Sequence, residues 1–158
     1  MEKLVFAVMM SMSACAFAQQ VALPGIGFRI GDDLAEVKAA LHTSDVPEPL
    51  AQPLLLPANM HNPNQDKTVL HLRTKGISAL FDASNKVQAI RLDAPFAGEV
   101  KGVKLGDSAK TVTSKLGDPV SKPATLLTFQ IYRYVLDDEA YVAYWINVDG
   151  VQAIVVGK

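Results

Sequence analysis

The residues of this chain that could do chemistry are few: three histidines, His42, His61 and His71, the acidic runs Asp32-Asp33 and Asp137-Asp138-Glu139, Asp107, and a single cysteine, Cys15. A metal centre needs ligands at a spacing that returns them to one point, as in H-E-x-x-H on a helix or paired C-x-x-C, and the three histidines have no such spacing among them. There is no G-x-S-x-G nucleophile elbow and no Gly-rich phosphate loop. The histidines therefore read as solvated side chains, Asp32-Asp33 and Asp107 as helix-start residues, and Asp137-Asp138-Glu139 as a hairpin turn that could also rim a contact surface. The pattern implies no catalytic residue, no metal and no cofactor, and hence a protein that is not an enzyme. Function must then lie in a surface.

The elements that would build that surface start from an ordinary globular composition: 158 residues, 49% hydrophobic and 20% charged, with a formal net charge of -1. That balance, with no run of Lys or Arg, gives no drive toward nucleic acid. The first residues, MEKLVFAVMMSMSACAFAQQ, set Lys3 before an apolar run and end it at Ala16-Phe17-Ala18, the form of a secretory signal peptide over residues 1–18. The expectation is a single periplasmic domain over residues 19–158, without thiols because Cys15 lies in the leader. The same residues offer an alternative. Met12-Ser13-Ala14-Cys15 loosely resembles a lipobox, and lipidation at Cys15 would make the chain an outer-membrane lipoprotein; a membrane is a partner only in that case.

The four residues Val-Gln-Ala-Ile occur at 87–90 and again at 151–154. Upstream of each stands a related block, GFRIGDDLAEVKAALH from Gly27 and GVKLGDSAKTVTSKLG from Gly102. Two blocks in the same order predict two tandem repeats, about 23–94 and 95–158, the first with the longer internal connection. In each, a capped amphipathic helix is followed by strands: Asp33 with Glu36 forms a capping box ahead of Leu34, Val37, Ala40 and Leu41, and Ser108 stands ahead of Ala109, Val112 and Leu116. The expected fold class is α+β, two helix-plus-antiparallel-meander repeats with the helices on one face of the sheet.

Asn85-Lys86 and Asp149-Gly150 read as two-residue hairpin turns, and alternation then separates the faces. In the first repeat Leu70, Leu72, Ile77, Ala79, Phe81, Ile90 and Leu92 face the helices. Laid on the same register, the second sends Tyr134, Leu136, Tyr141, Ala143, Trp145, Ile154 and Val156 inward, and turns Arg133, Val135, Val142, Tyr144, Ile146, Val148, Val151, Ala153 and Val155 outward. An outward face this apolar demands cover: a protein partner or a homodimer, the other repeat, or a one-residue bulge that turns the strand over. The partner-binding set read from this pattern is Arg133, Val135, Val142, Tyr144 and Ile146. The connection from His42 to Lys67, with Pro47, Pro49, Pro53, Pro57 and Pro63, reads as a stiff loop over about 43–67 that could add contacts.

The segment GVKLGDSAKTVTSKLGDP, its looser copy from Gly27, the Y-x-Y strands and the closing VQAI hairpin resemble the small outer-membrane lipoprotein (BamE/SmpA/OmlA) unit. Two such units in tandem are similar to the β-lactamase-inhibitory-protein (BLIP-like) fold. The resemblance transfers structural positions alone, Gly106, Asp107, Val112, Leu116, Gly117 and Pro119. It implies a periplasmic protein-binding protein, inhibitor or immunity-protein-like, whose partner is an enzyme or toxin effector. The alternative it implies is an accessory of outer-membrane assembly or envelope maintenance.

Overall fold

The computed structural model describes residue 23 and residues 25–51, 61–137 and 140–158. Residues 1–22, which hold the expected signal peptide and Cys15, residue 24, the middle of the Pro-rich loop (52–60) and Asp138-Glu139 lie outside the described residues. Among the described residues no helix is long and apolar enough to cross a membrane.

The chain is built on one eight-stranded antiparallel sheet. Its strands are β1 (Glu48–Pro49), β2 (Thr68–Leu72), β3 (Ile77–Phe81), β4 (Val87–Asp93), β7 (Ala124–Leu126), β8 (Phe129–Val135), β9 (Tyr141–Asn147) and β10 (Gly150–Gly157), in the spatial order β1-β2-β3-β4-β10-β9-β8-β7. A separate two-stranded ribbon joins β5 (Glu99–Val100) to β6 (Val103–Lys104). Two α-helices, α1 (Leu34–Leu41) and α2 (Ala109–Leu116), have eight residues each. The expected α+β class of helix-plus-meander repeats is therefore overturned, because the molecule is mostly antiparallel sheet. The physical reason is length: eight residues make about two turns, too few to stand without tertiary contacts. Val37 and Leu41 are the buried residues of α1, and Val112 is that of α2. The strands supply most of the core.

What recurs along the chain is a junction between a Gly-Asp turn and a strand. Gly31 N–H donates to Val87 O (2.8 Å) and Val87 N–H to Asp32 O (2.9 Å); Gly106 N–H donates to Val151 O (2.8 Å) and Val151 N–H to Asp107 O (2.9 Å). Each Asp side chain closes its own turn, Asp32 accepting from Arg29 N–H and Asp107 from Lys104 N–H. The next residue caps the helix as its type predicts: Asp33 and Glu36 exchange the two bonds of a capping box, and Ser108 Oγ accepts from Thr111 N–H.

The Val of each VQAI segment, docked on that turn, and the Ile three residues later are both buried: Val87 is 2% and Ile90 0% exposed, Val151 1% and Ile154 0%. In a regular strand, residues three apart point to opposite faces. Both segments resolve this with a bulge. Phe81 pairs with Val87 and Leu80 with Ala89, leaving Gln88 unpaired; Ile146 pairs with Val151 and Trp145 with Ala153, leaving Gln152 unpaired. Both glutamines are exposed.

The hairpins enclosed by these pairs differ by one residue. Residues 82–86 connect Phe81 to Val87, whereas residues 147–150 connect Ile146 to Val151. The turn of the second hairpin is Val148-Asp149, flanked by the Asn147–Gly150 pair, not Asp149-Gly150. The counterpart of Phe81 is thus Ile146 rather than Trp145, and β9 is turned over relative to the reading by alternation. Val142 (0%), Tyr144 (0%) and Ile146 (3%) lie in the core with Val37, Val112, Ile90 and Ile154. Tyr141, Ala143 and Trp145 take the opposite face. Assignments on β8 and on the first repeat hold, with Tyr134, Leu70, Ile77, Ala79 and Phe81 in the core.

Two core tyrosines tie the sheet to the elements packed on it. Tyr144 Oη donates to Val100 O (2.8 Å), and Tyr134 Oη to Gly117 O (3.1 Å) at the end of α2. Their rings meet edge to face, 5.9 Å between centroids. Burial holds both phenols above their ordinary pKa of 10.0, so each remains a donor well into alkaline pH.

Deleting Gln152 sets Val151 and Ile154 two residues apart, so that an unbulged strand with the same pairs to β9 keeps both in the core. We expect the thermal midpoint to move by no more than about 2–4 °C, the shift for about 1 kcal/mol in a domain of this size; a fall several times larger would show that the bulge does more than bring the two side chains to one face. A second expectation concerns Asp107, whose carboxyl is held below the ordinary 3.8 by the Lys104 N–H and then by Lys115 Nζ at 3.0 Å. A depressed folded-state pKa contributes stability present above the unfolded value and lost as pH falls through the folded one. The gap in thermal midpoint between wild type and Asp107→Asn should therefore narrow as pH drops below about 4. A constant gap down to acid pH rejects the linkage.

Candidate interaction face

The two α-helices and the core share one side of the sheet, and no described helix or strand covers the other. The register sets three rows across this open face. Ser78, Arg91, Val155, Ala143 and Arg133 lie side by side from β3 to β8, continuing to His71 on β2. A second row contains Asp93, Ala153, Trp145 and Ile131, and a third Leu80, Ala89, Gly157, Tyr141 and Val135.

Central β10 presents only Ala153, Val155 and Gly157 here, so large side chains from its neighbours lean across it. The Tyr141 ring lies over Gly157, where a Cβ would stand 3.2 Å from Tyr141 Oη. From β4, Arg91 reaches across β10 and stacks over the Trp145 ring, its Cζ 5.2 Å from the centroid. Arg91 is also held bidentately by Asp93, Nε to Oδ2 at 2.9 Å and Nη2 to Oδ1 at 2.9 Å. Phe129 supports Trp145 from the far side, centroids 5.9 Å apart. Arg133 stacks over Tyr141 at 5.4 Å. These contacts cover the small residues, leaving Ala143 3% and Ala153 1% exposed.

Of the five residues assigned to partner binding by sequence, the structure divides the set. Arg133 is exposed and Val135 is 56% exposed on the open face. Val142, Tyr144 and Ile146 are buried under the helical layer and cannot touch a partner without unfolding. The residues that alternation hid are Trp145 and Tyr141, brought outward by the shorter hairpin, and Arg91, which needs the cross-sheet register to be paired with Trp145. The signal available was the pair of β-branched apolar side chains, Val87 and Ile90, three positions apart within a strand, because sending both inward demands a bulge within VQAI.

The candidate chemistry residues fall apart in space. His42 caps α1 in the left-handed region, His61 is exposed, and His71 bonds Ser78. Asp137 closes the β8–β9 connection, accepting from Ala140 N–H. Among the described residues no three of His, Cys, Asp and Glu gather to hold a metal.

Arg91→Ala should leave the fold intact, since its pair with Asp93 is half-exposed and such pairs contribute less than about 1 kcal/mol. It uncovers the single Trp, so acrylamide quenching of Trp145 fluorescence should rise. Quenching equal to wild type would show that the guanidinium does not cover the ring.

No protein-family model and no curated protein sequence matches the chain. A solved structure, that of a DUF4309 family protein (YjgB) from Bacillus subtilis subsp. subtilis str. 168, is similar at 13% identity with a TM-score of 0.49, over 79% of this chain and 77% of that one.

Proposed function

We propose that this is a periplasmic, non-enzymatic protein that captures another protein on the open face of its sheet, in the manner of an inhibitor or immunity protein. The supporting observation is the pair of stacked units Arg91–Trp145 and Arg133–Tyr141 on a face that no described helix or strand covers. Arg, Trp and Tyr dominate binding energy at interfaces, and a guanidinium already held on a ring loses less freedom when a partner arrives. Arg91 is neutralised by Asp93, whereas the Arg133 guanidinium has no hydrogen-bond partner among the described residues and is left to meet a partner's acidic group. The contact centre proposed is Trp145, Tyr141, Arg91, Arg133 and Val135. Export rests on the leader sequence, and the reading as a lipidated envelope accessory rests on Met12-Ser13-Ala14-Cys15; mass spectrometry of the mature protein separates them by an acylated Cys15.

The test is capture from envelope extract with wild type, Trp145→Ala, Arg133→Glu and, as a core control, Tyr144→Phe. Trp145→Ala and Arg133→Glu should each weaken binding of the identified partner at least about tenfold, the scale of an interface hot spot, Arg133→Glu at an unchanged thermal midpoint and Trp145→Ala while still folded at the temperature of the assay. Tyr144→Phe should bind normally and melt earlier. A partner held equally by wild type and both face variants places binding elsewhere on the molecule.

A further inference from the structure

At the β2–β3–β4 end of the open face lies a cleft of about 270 Å³ lined by His71, Arg73, Gly76, Ile77, Ser78, Arg91, Asp93 and Ala94. We infer that it is a carboxylate-binding site, formed by Ser78, Arg73 and Arg91 with His71 behind the serine.

Separate elements converge there. His71, Ser78 and Arg91 are direct cross-strand neighbours on β2, β3 and β4. Arg73 comes from the 3-10 turn Arg73–Lys75 that links β2 to β3. That turn is pinned over the end of β4: Asp93 N–H donates to Gly76 O (2.9 Å), and Gly76 sits at φ +65 where an added Cβ would collide with the Asp93 carbonyl. Glycine at 76 is thus the condition for Arg73 to stand beside Asp93 and Arg91.

The donors suit an anion. Ser78 is 9% exposed and bonds His71 Nδ1 through Oγ at 2.9 Å. When Nδ1 carries the proton, His71 donates to Ser78 and the serine hydrogen is free to point into the cleft. Arg91 spends Nε and Nη2 on Asp93 and keeps Nη1. The Arg73 guanidinium is exposed and has no hydrogen-bond or ion-pair partner among the described residues.

Charge selects the class of anion. The charged groups lining the cleft are Arg73, Arg91 and Asp93, a single net positive charge when His71 is neutral. A monoanion balances it, whereas a dianion meets the Asp93 carboxylate uncompensated. A free small acid and an acidic side chain of a peptide present the same carboxylate to these donors.

The experiment needs no protein partner and so stands apart from the capture test. Acetate, N-acetylglutamic acid amide, its glutamine counterpart and inorganic phosphate are titrated separately into the isotopically labelled full chain, following amide signals of Arg73, Ser78 and Arg91. Saturable shifts are expected with the carboxylates at Kd on the order of millimolar, and none with the glutamine compound. Acetate binding as well as the glutamic compound identifies a site for free small acids; preference for the glutamic compound identifies a side-chain site. Arg73→Gln, on the exposed turn, should weaken binding about tenfold without moving the thermal midpoint, and Ser78→Ala should do so by a smaller factor. Equal response to the glutamine compound, tighter binding of phosphate, or no saturation in wild type overturns the assignment.

Discussion

The structure depends on a single constraint, that Val87 with Ile90, and Val151 with Ile154, must all reach the core although the members of each pair stand three positions apart. An unpaired glutamine, Gln88 or Gln152, supplies the extra half-turn of pleat. The backbone of the valine is then taken by a Gly-Asp turn, two bonds in each place, so the bulge is held from above as well as from the side. Which side chains meet water on β9 follows from this, because a shift of one residue exchanges Tyr144 for Trp145 across the sheet.

The two sides of the sheet have consequently different chemistry. On the core side, aliphatic side chains dominate and two tyrosines use their hydroxyls to anchor the ribbon and the end of α2. On the open side, small residues on β10 form a floor across which arginine and aromatic side chains from opposite halves of the sheet meet. Arg91 from β4 and Trp145 from β9 are thus a contact between the two meanders. The polar end of the same face, around Ser78, lies wholly within the first meander.

Much of this was legible in the residues. The helix starts followed from Asp33, Glu36 and Ser108, because capping is local chemistry, and the positions of the six long strands came from their β-branched and aromatic runs. Faces in the first half were read correctly because two departures from a two-residue turn cancel there: residues 82–86 form a connection of odd length, and the bulge at Gln88 shifts the pairing by one more. In the second half residues 147–150 form an even connection, so the bulge at Gln152 is uncompensated and Val142, Tyr144 and Ile146 were assigned to the wrong side; the turn itself is Val148-Asp149. The strong turn propensity of Asp-Gly concealed this: Gly150 is needed instead for its close approach to Gly106 O, where no Cβ fits. The short strands β1, β5, β6 and β7 carry no periodicity and were invisible. The cleft at Ser78 depends on cross-strand register between β2, β3 and β4, which local pattern does not encode.

The position of β10 bears on the order of assembly. It follows every other strand along the chain, yet it lies in the interior of the sheet, bonded to β4 on one side and β9 on the other. Until it is in place, each meander ends in a raw strand edge, and the pairings that join them link segments far apart in sequence, which slows closure. Synthesis from the N-terminal end therefore leaves the facing edges of β4 and β9 unpaired until β10 is made, and the sheet locks only then.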